Sequence, residues 1–319
     1  MQRFRWIAVA GLIALALTTP ARAWDAEGHE LVAVMAGNEL NPKAKQAVAQ
    51  FAHEMENPEK LYNEITIACW MDDLKKNPAM PYHGTFLSWH YIDLGIAPGD
   101  PEPSFEPGDD NEIHGNAVQA LKRAVVVLKG GTDPYIKTKA MACAMVMHLV
   151  ADLHQPLHCA TKYFISGGRQ RQDQGGNKEQ VINGPPGDPT LNLHYFWDQA
   201  YRASFDQDTG NVVFDPHVNA AQLNASAMPP NAKLEPNFDQ WAGEGNAIAR
   251  DFVYRDITEA GDKKHCRLSS AYVAKARLIA RAQLVLAAHR LAHLLNETLG
   301  ADQPVPPPPS YPAGPPAIH

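Results

Sequence analysis

An all-α fold is predicted for this 319-residue chain by three observations. Apolar residues recur at three- and four-residue spacing through most of its length. The segments so patterned are separated by Asn-Pro, Gly-Gly and Pro-Gly breaks. No alternating apolar and polar run is long enough to announce a strand. A hydrophobic content of 45% is sufficient for the core of one large domain.

Taken in order, residues 1–23 read as a secretory signal. Arg3 and Arg5 precede an apolar run from Trp6 to Leu17, and Ala21-Arg22-Ala23 forms a small-x-small cleavage box. The run is too short to span a membrane comfortably. Cleavage would make Trp24 the new N-terminus, and an α-amine titrating near pH ~8 is accessible as a metal ligand. Gly28 to Leu40 has helical spacing and stops at Asn41-Pro42, where a second helix starts with Pro at its first position. Glu64 to Lys76 is helical up to Asn77-Pro78, and residues 81–110 are loop-rich, with a turn at Pro98-Gly99-Asp100-Pro101. Helix resumes over Glu112 to Leu128 and breaks at Gly130-Gly131. Pro134 then opens a long apolar helix through Leu153. Ser166 to Pro189 reads as a surface loop, Leu191 to Phe205 as a helix, and the stretch to Pro236 as irregular. The last helix runs from Ser269 to Leu299, with Gly300 just past its end. Residues 24–303 are therefore the folded domain, and residues 304–319 a Pro-rich extended tail.

Charge narrows the function. Without residues 1–23, 25 basic residues stand against 35 acidic ones, a balance of −10. That argues against gripping nucleic acid by a broad basic surface. It does not exclude a phosphate substrate, because bound divalent cations make a site locally positive. The four cysteines (Cys69, Cys143, Cys159 and Cys266) include no CxxC pair, so thiolate ligation is disfavoured. Disulfides or buried thiols are the alternatives in an exported chain.

The densest chemical signal is His148-Leu-Val-Ala-Asp152-Leu-His154-Gln-Pro-Leu-His158. His148 and Asp152 share a helix face at four-residue spacing, and Pro156 bends the chain so that His158 can return to the same cavity. His194 and Asp198 repeat the spacing. Mixed imidazole and carboxylate ligands without sulfur suit catalytic zinc. Trp24 to His29 offers an amine, a carbonyl and an imidazole. Asp72 lies in a helix with Lys75 about one turn later, and His90 stands beside Tyr91 and Asp93.

The ordered set Trp24…His29, Trp70-x-Asp72, His90-Tyr91-x-Asp93, His148-x3-Asp152-x-His-Gln-Pro-Leu-His158, Gly175-Gly176-Asn177 and Asn192-Leu-His194-x2-Trp-Asp198 resembles the zinc-dependent single-strand-specific nucleases. These are the type I nucleases with 3′-nucleotidase activity, related to zinc-dependent phospholipase C. The resemblance runs from about Trp24 to Asn296. It implies a single helical domain around a trinuclear zinc cleft. Asp72, His90 and His148 would hold one ion, and Asp152 would bridge to a second that also takes Trp24 and His29. His158, His194 and Asp198 would hold the third. Asp72 would orient or deprotonate the attacking water and Lys75 would offset charge on the phosphoryl oxygens. Tyr91 would stack a base, Asp93 would bond its edge, and Asn177 would join them in binding substrate. The expected substrates are single-stranded DNA, RNA and 3′-nucleotides, cleaved by a periplasmic or secreted monomer with no stable membrane association.

Other histidines read more simply. His154 points away from Asp152 and suits packing, and His289 and His293 lie on a long apolar-periodic helix with no carboxylate in their motif. Two rival functions share the ligand set: a phospholipase C acting on phosphatidylcholine, and a zinc-binding protein without turnover.

Overall fold

In a computed structural model, residues 24–97, 100, 113, 115–181, 192–202, 214–224, 228–229, 232–259 and 265–301 are described. The signal and tail, residues 182–189 of the 166–189 loop and most of the turn at 98–101 lie outside them. The all-α expectation holds. Helices cover Ala26–Gly37 (α1), Pro42–Glu54 (α2), Trp70–Lys76 (α3), Ala117–Leu128 (α4), Lys139–Asp152 (α5), Leu193–Asp198 (α6), Pro216–Asn224 (α7), Phe238–Ile248 (α8) and Ser270–Leu299 (α9).

Capping decides where several of them begin. Asn116, Thr138, Asn192 and Ser269 each accept a hydrogen bond from the backbone N–H three residues on. Helix α4 therefore starts at Ala117 rather than Glu112, and α5 at Lys139 rather than Pro134. Asn41 does the same for α2, with Pro42 in its first turn as the sequence predicts. Its amide also donates to Gly300 O at 3.0 Å, and a Cβ on Gly300 would stand 2.1 Å from that side chain. Glycine there is required by close approach, joining the end of α9 to the start of α2.

Helix α5 is the centre of the molecule. Every residue from Ala140 to Asp152 is buried, and α1, α2, α3, α4 and α9 pack around it. Helix α9 is long and apolar enough to cross a membrane, yet its apolar window is 72% buried within this fold. It is a core helix.

The structure departs from the sequence reading in three places. Residues 64–76 are split into a 3-10 turn over Thr66–Cys69 followed by α3. Helices α7 and α8, the latter continued by a π turn over Ala249–Val253, occupy chain that carried no assigned element. Short strands were also missed. Tyr163–Ser166 (β1) and Arg169–Gln172 (β2) form an antiparallel hairpin. Gln180–Val181 (β3), Thr258–Glu259 (β4) and His265–Arg267 (β5) form a small sheet in the order β3-β5-β4. Strands of two to four residues are too brief to display alternation. All four cysteines are buried free thiols, so no disulfide joins them.

Candidate metal centre

Asp72 leaves the first turn of α3, and His148 and Asp152 leave the last turns of α5 on one face. His29 comes from α1, and its ring stacks on that of His148 with centroids 3.9 Å apart. His90 closes a 3-10 turn over Leu87–His90, and His158 sits in another over Pro156–Cys159. His194 and Asp198 stand one turn apart on α6. All of these side chains are buried.

Three groups of potential ligand atoms result: His29, His148 and Asp152; Asp72, His90 and His148; and His158, His194 and Asp198. Within each, the ligand atoms lie within 4.8 Å of one another. The first two groups share His148. Asp152 lies against both, with Oδ1 3.4 Å from His29 Nε2 and Oδ2 3.2 Å from both His90 Nδ1 and His148 Nε2.

Backbone carbonyls fix the imidazoles. Nδ1 of His148 meets Ala68 O, that of His158 meets His90 O and that of His194 meets Gly175 O, each at 2.7 Å. Donation from Nδ1 leaves Nε2 as a lone pair. His158 Nε2 and His194 Nε2 then face each other at 3.1 Å, and with both rings neutral two lone pairs meet. A cation between them relieves that repulsion. Burial pushes the His29 and His158 pKa down, and burial with the nearby Lys75 pushes His90 down to about 3, so these rings are in the neutral, ligating form. His148 goes the other way: burial lowers it, but the Asp152 carboxylate outweighs burial.

The carboxylates make the same case. Asp72 Oδ2, Asp152 Oδ1, Asp198 Oδ2 and both His29 nitrogens are buried and form no hydrogen bond. An unpaired carboxylate removed from water costs several kcal/mol. Burial raises the Asp72 pKa, but Lys75, 3.0 Å away, and His148 overcome it and hold it below the usual range. Burial likewise opposes ionisation of Asp152, which His148 and His158 hold well down. At Asp198, with His194 Nε2 3.8 Å from Oδ1, burial prevails and pushes the pKa well above the ordinary value despite a 2.8 Å hydrogen bond from Gln155 Nε2. The donor set therefore fits divalent cations.

The remaining expected residues are placed as follows. Trp24 is fully buried, its indole donating to Ala151 O at 2.9 Å, beside the helix end that carries Asp152. Gly28 permits this, since a Cβ there would stand 2.8 Å from Trp24 Cβ. Tyr91 is 40% exposed and Asp93 half-buried. Both lie on a segment held to the third group, where Ile92 N donates to His158 O at 2.8 Å. Burial, with help from Asp173, pushes Asp93 up to about 7. The Asn177 amide donates to Gln174 O at 2.8 Å within its own turn, two residues after Gly175, whose carbonyl meets His194. His154 is engaged elsewhere, between Val150 O and Arg290.

Two supporting features escaped the sequence reading. Gln155 spans from Asp198 to Leu157 N, which its Oε1 accepts at 2.6 Å, and so orients a ligand while closing the turn that carries His158. Gly175 has φ +58°, and its carbonyl fixes His194. The Gln-Pro and Gly-Gly dipeptides marked both places, but neither dipeptide says which ligand it serves.

Imidazole and carboxylate groups converging in a helical core, with no thiolate among them, make a donor set able to hold metal ions of the kind hydrolases use. The chain belongs to the S1/P1 nuclease family, whose model matches residues 24–300, and it is a nuclease. It is 25% identical to Endonuclease 2 of Arabidopsis thaliana over 292 residues, covering 87% of this chain and 91% of that protein. Endonuclease 1 of the same plant is 24% identical, with 93% and 94% covered, and Endonuclease 3 is 23% identical, with 93% and 95% covered.

Proposed function

We propose that this nuclease is an exported zinc enzyme that hydrolyses the P–O3′ bond of single-stranded DNA and RNA and removes 3′-phosphates from nucleotides. The observation that carries the reading is the set of three buried ligand groups in which one oxygen each of Asp72, Asp152 and Asp198, and both His29 nitrogens, form no hydrogen bond. Asp72, His90 and His148 would hold one zinc; Asp152 and His29, with the Trp24 terminus, would hold a second; His158, His194 and Asp198 would hold the third. When bound, such ions polarise phosphoryl oxygens and lower the pKa of water.

The chain's own residues supply the rest. Asp72 Oδ2, which forms no hydrogen bond in the protein, orients the attacking water. Lys75 Nζ, held by Asp72 Oδ1, presents a point charge to the phosphoryl oxygens. Water forms the new P–O bond, the P–O3′ bond breaks, and a proton ends on the 3′ oxygen, leaving a 5′-phosphate. The exposed ring of Tyr91 stacks a base and Asp93 bonds its edge. A stacking site needs an unstacked base, which a duplex yields only at a cost of a few kcal/mol, and that favours single strands. Arg3 and Arg5, the apolar run from Trp6 to Leu17 and the Ala21-Arg22-Ala23 box support cleavage after Ala23 and a periplasmic or secreted location.

The test uses mature protein beginning at Trp24, purified from an exporting host. It is offered a single-stranded oligonucleotide, a 3′-nucleotide and short-chain phosphatidylcholine, with and without chelator, and products are read by mass spectrometry. Chelator-sensitive release of 5′-phosphorylated nucleotides and of 3′-phosphate, with lipid intact, is expected. Phosphocholine release alone would move the substrate to lipid. Silence on all three would favour zinc binding without turnover.

A further inference from the structure

The β1–β2 hairpin is unlike the rest of this acidic chain. Residues 162–172 contain Lys162, Arg169 and Arg171 and no acidic residue, in a protein of net charge −7. Arg169 and Arg171 are exposed, and neither side chain has a hydrogen-bond, ion-pair or ring partner among the described residues. They stand at i and i+2 of one strand, so both project from the same face of the hairpin, about 6.8 Å apart along the chain. Elsewhere among the described residues, exposed Arg250 pairs with Asp251 and Arg255 with Asp256, while exposed Arg267 stands alone on β5 with no second arginine beside it on the strand.

The position of the hairpin gives those charges a use. Its first strand begins five residues after His158, and its second ends three residues before Gly175, whose carbonyl fixes His194. Its base is pinned: Asp173 N donates to Lys162 O at 3.0 Å, and Lys162 N to Asp173 Oδ1 at 2.8 Å. The chain entering it pairs with the segment beyond Asp93, with Thr161 N donating to Leu94 O at 2.9 Å. Four-residue strands carry the tip about 13 Å from that base. The tight turn is made by Gly167 and Gly168 at φ +59° and +72°. The hairpin is thus an arm rooted at the third ligand group.

We infer that Arg169 and Arg171 form a phosphate-binding arm for the extended part of a single-stranded polynucleotide, outside the nucleotide that is cut. The inference rests on the nuclease reading above and adds a substrate-length dependence to it. Two guanidinium groups on one strand face serve two backbone phosphates of one strand without reading sequence. A mononucleotide or dinucleotide does not reach them.

The test compares the metal-loaded wild type with the double variants Arg169→Ala/Arg171→Ala and Arg169→Lys/Arg171→Lys. Each is given a dinucleoside monophosphate and a single-stranded oligonucleotide of about 20 residues across a salt series. The alanine variant should lose about 10-fold in kcat/KM on the oligonucleotide. Its log–log salt slope should become shallower by about 1.4, from two contacts at about 0.7 each on a single strand. Its dinucleotide activity should stay within about 2-fold of wild type, and the lysine variant should keep most of the salt slope. Equal losses on both substrates, or an unchanged oligonucleotide slope, would overturn the arm. A wild type that holds its metal and cuts neither substrate would instead overturn the nuclease reading beneath it.

Discussion

Asp152 has the most exacting position of any residue in the centre. It lies within 3.4 Å of His29, His90 and His148, and its Oδ1 has no hydrogen-bond donor. Replacing it with Asn removes the charge that lies against two ligand groups while keeping the shape. Asp152→Asn should abolish turnover and lower the metal bound per chain, as read by elemental analysis of the purified protein. A fully active variant with its metal intact would remove Asp152 from the centre. Lys75→Ala should lower kcat by about 10²–10³, the usual effect of losing one charge-stabilising donor, while metal content holds. Asp93 makes a different prediction, because its pKa is raised to about 7 against about 3.9 in an unfolded chain. Between those values the folded state holds a proton that the unfolded state releases. Its contribution to stability is therefore greatest at low pH and is lost as pH rises from about 4 to about 7. Urea midpoints of wild type and Asp93→Asn should diverge through that window and run parallel above it, the wild type losing ground.

At the scale of elements, the site depends on short irregular pieces between helices. The 3-10 turn carrying His158 is closed by Gln155, and the loop after β2 supplies the carbonyl that fixes His194. At Gly175, φ is +58° and a Cβ would stand 2.5 Å from Leu157 O. Gly175→Ala should cost about 1–3 kcal/mol in urea unfolding, from backbone strain plus overpacking. It should also lower metal content by displacing His194. Gly168 has φ +72° but nothing within 4 Å of the added Cβ. Gly168→Ala should cost only the conformational part, about 1 kcal/mol, and leave metal content unchanged. Equal metal loss in both variants would show that strain, not the carbonyl position, is responsible.

Across the whole molecule, stability and metal binding share one core. Helix α5 is buried along its length and ends in two ligands, so removing the ions leaves unpaired carboxylates inside the helical packing. A chelator should lower the melting temperature as well as activity, in proportion to ion affinity: about 2.7 kcal/mol is lost when free metal falls from 100 times Kd to zero. Reductant should have no such effect. The four cysteines are buried thiols, and burial pushes Cys143 up to about 12, away from the reactive thiolate. A thiol reagent should count none in the native protein and four in denaturant.

Helix periodicity and breaker residues determined the fold class, and four-residue spacing marked two ligand pairs of the centre, because both are local. His148–Asp152 and His194–Asp198 are each one helical turn apart, so a linear text displays them. Asp72 with Lys75 was legible for the same reason. Tertiary structure decided what depends on long-range approach. It brought His29 onto His148 and faced His158 toward His194, pairings that no spacing along the chain encodes. It also set helix starts through side-chain caps, turned the Asn177 amide into its own loop, and made strands too short to leave a period. Such features arise when distant segments meet in a packed core, where a carbonyl or a missing Cβ matters only beside its neighbour.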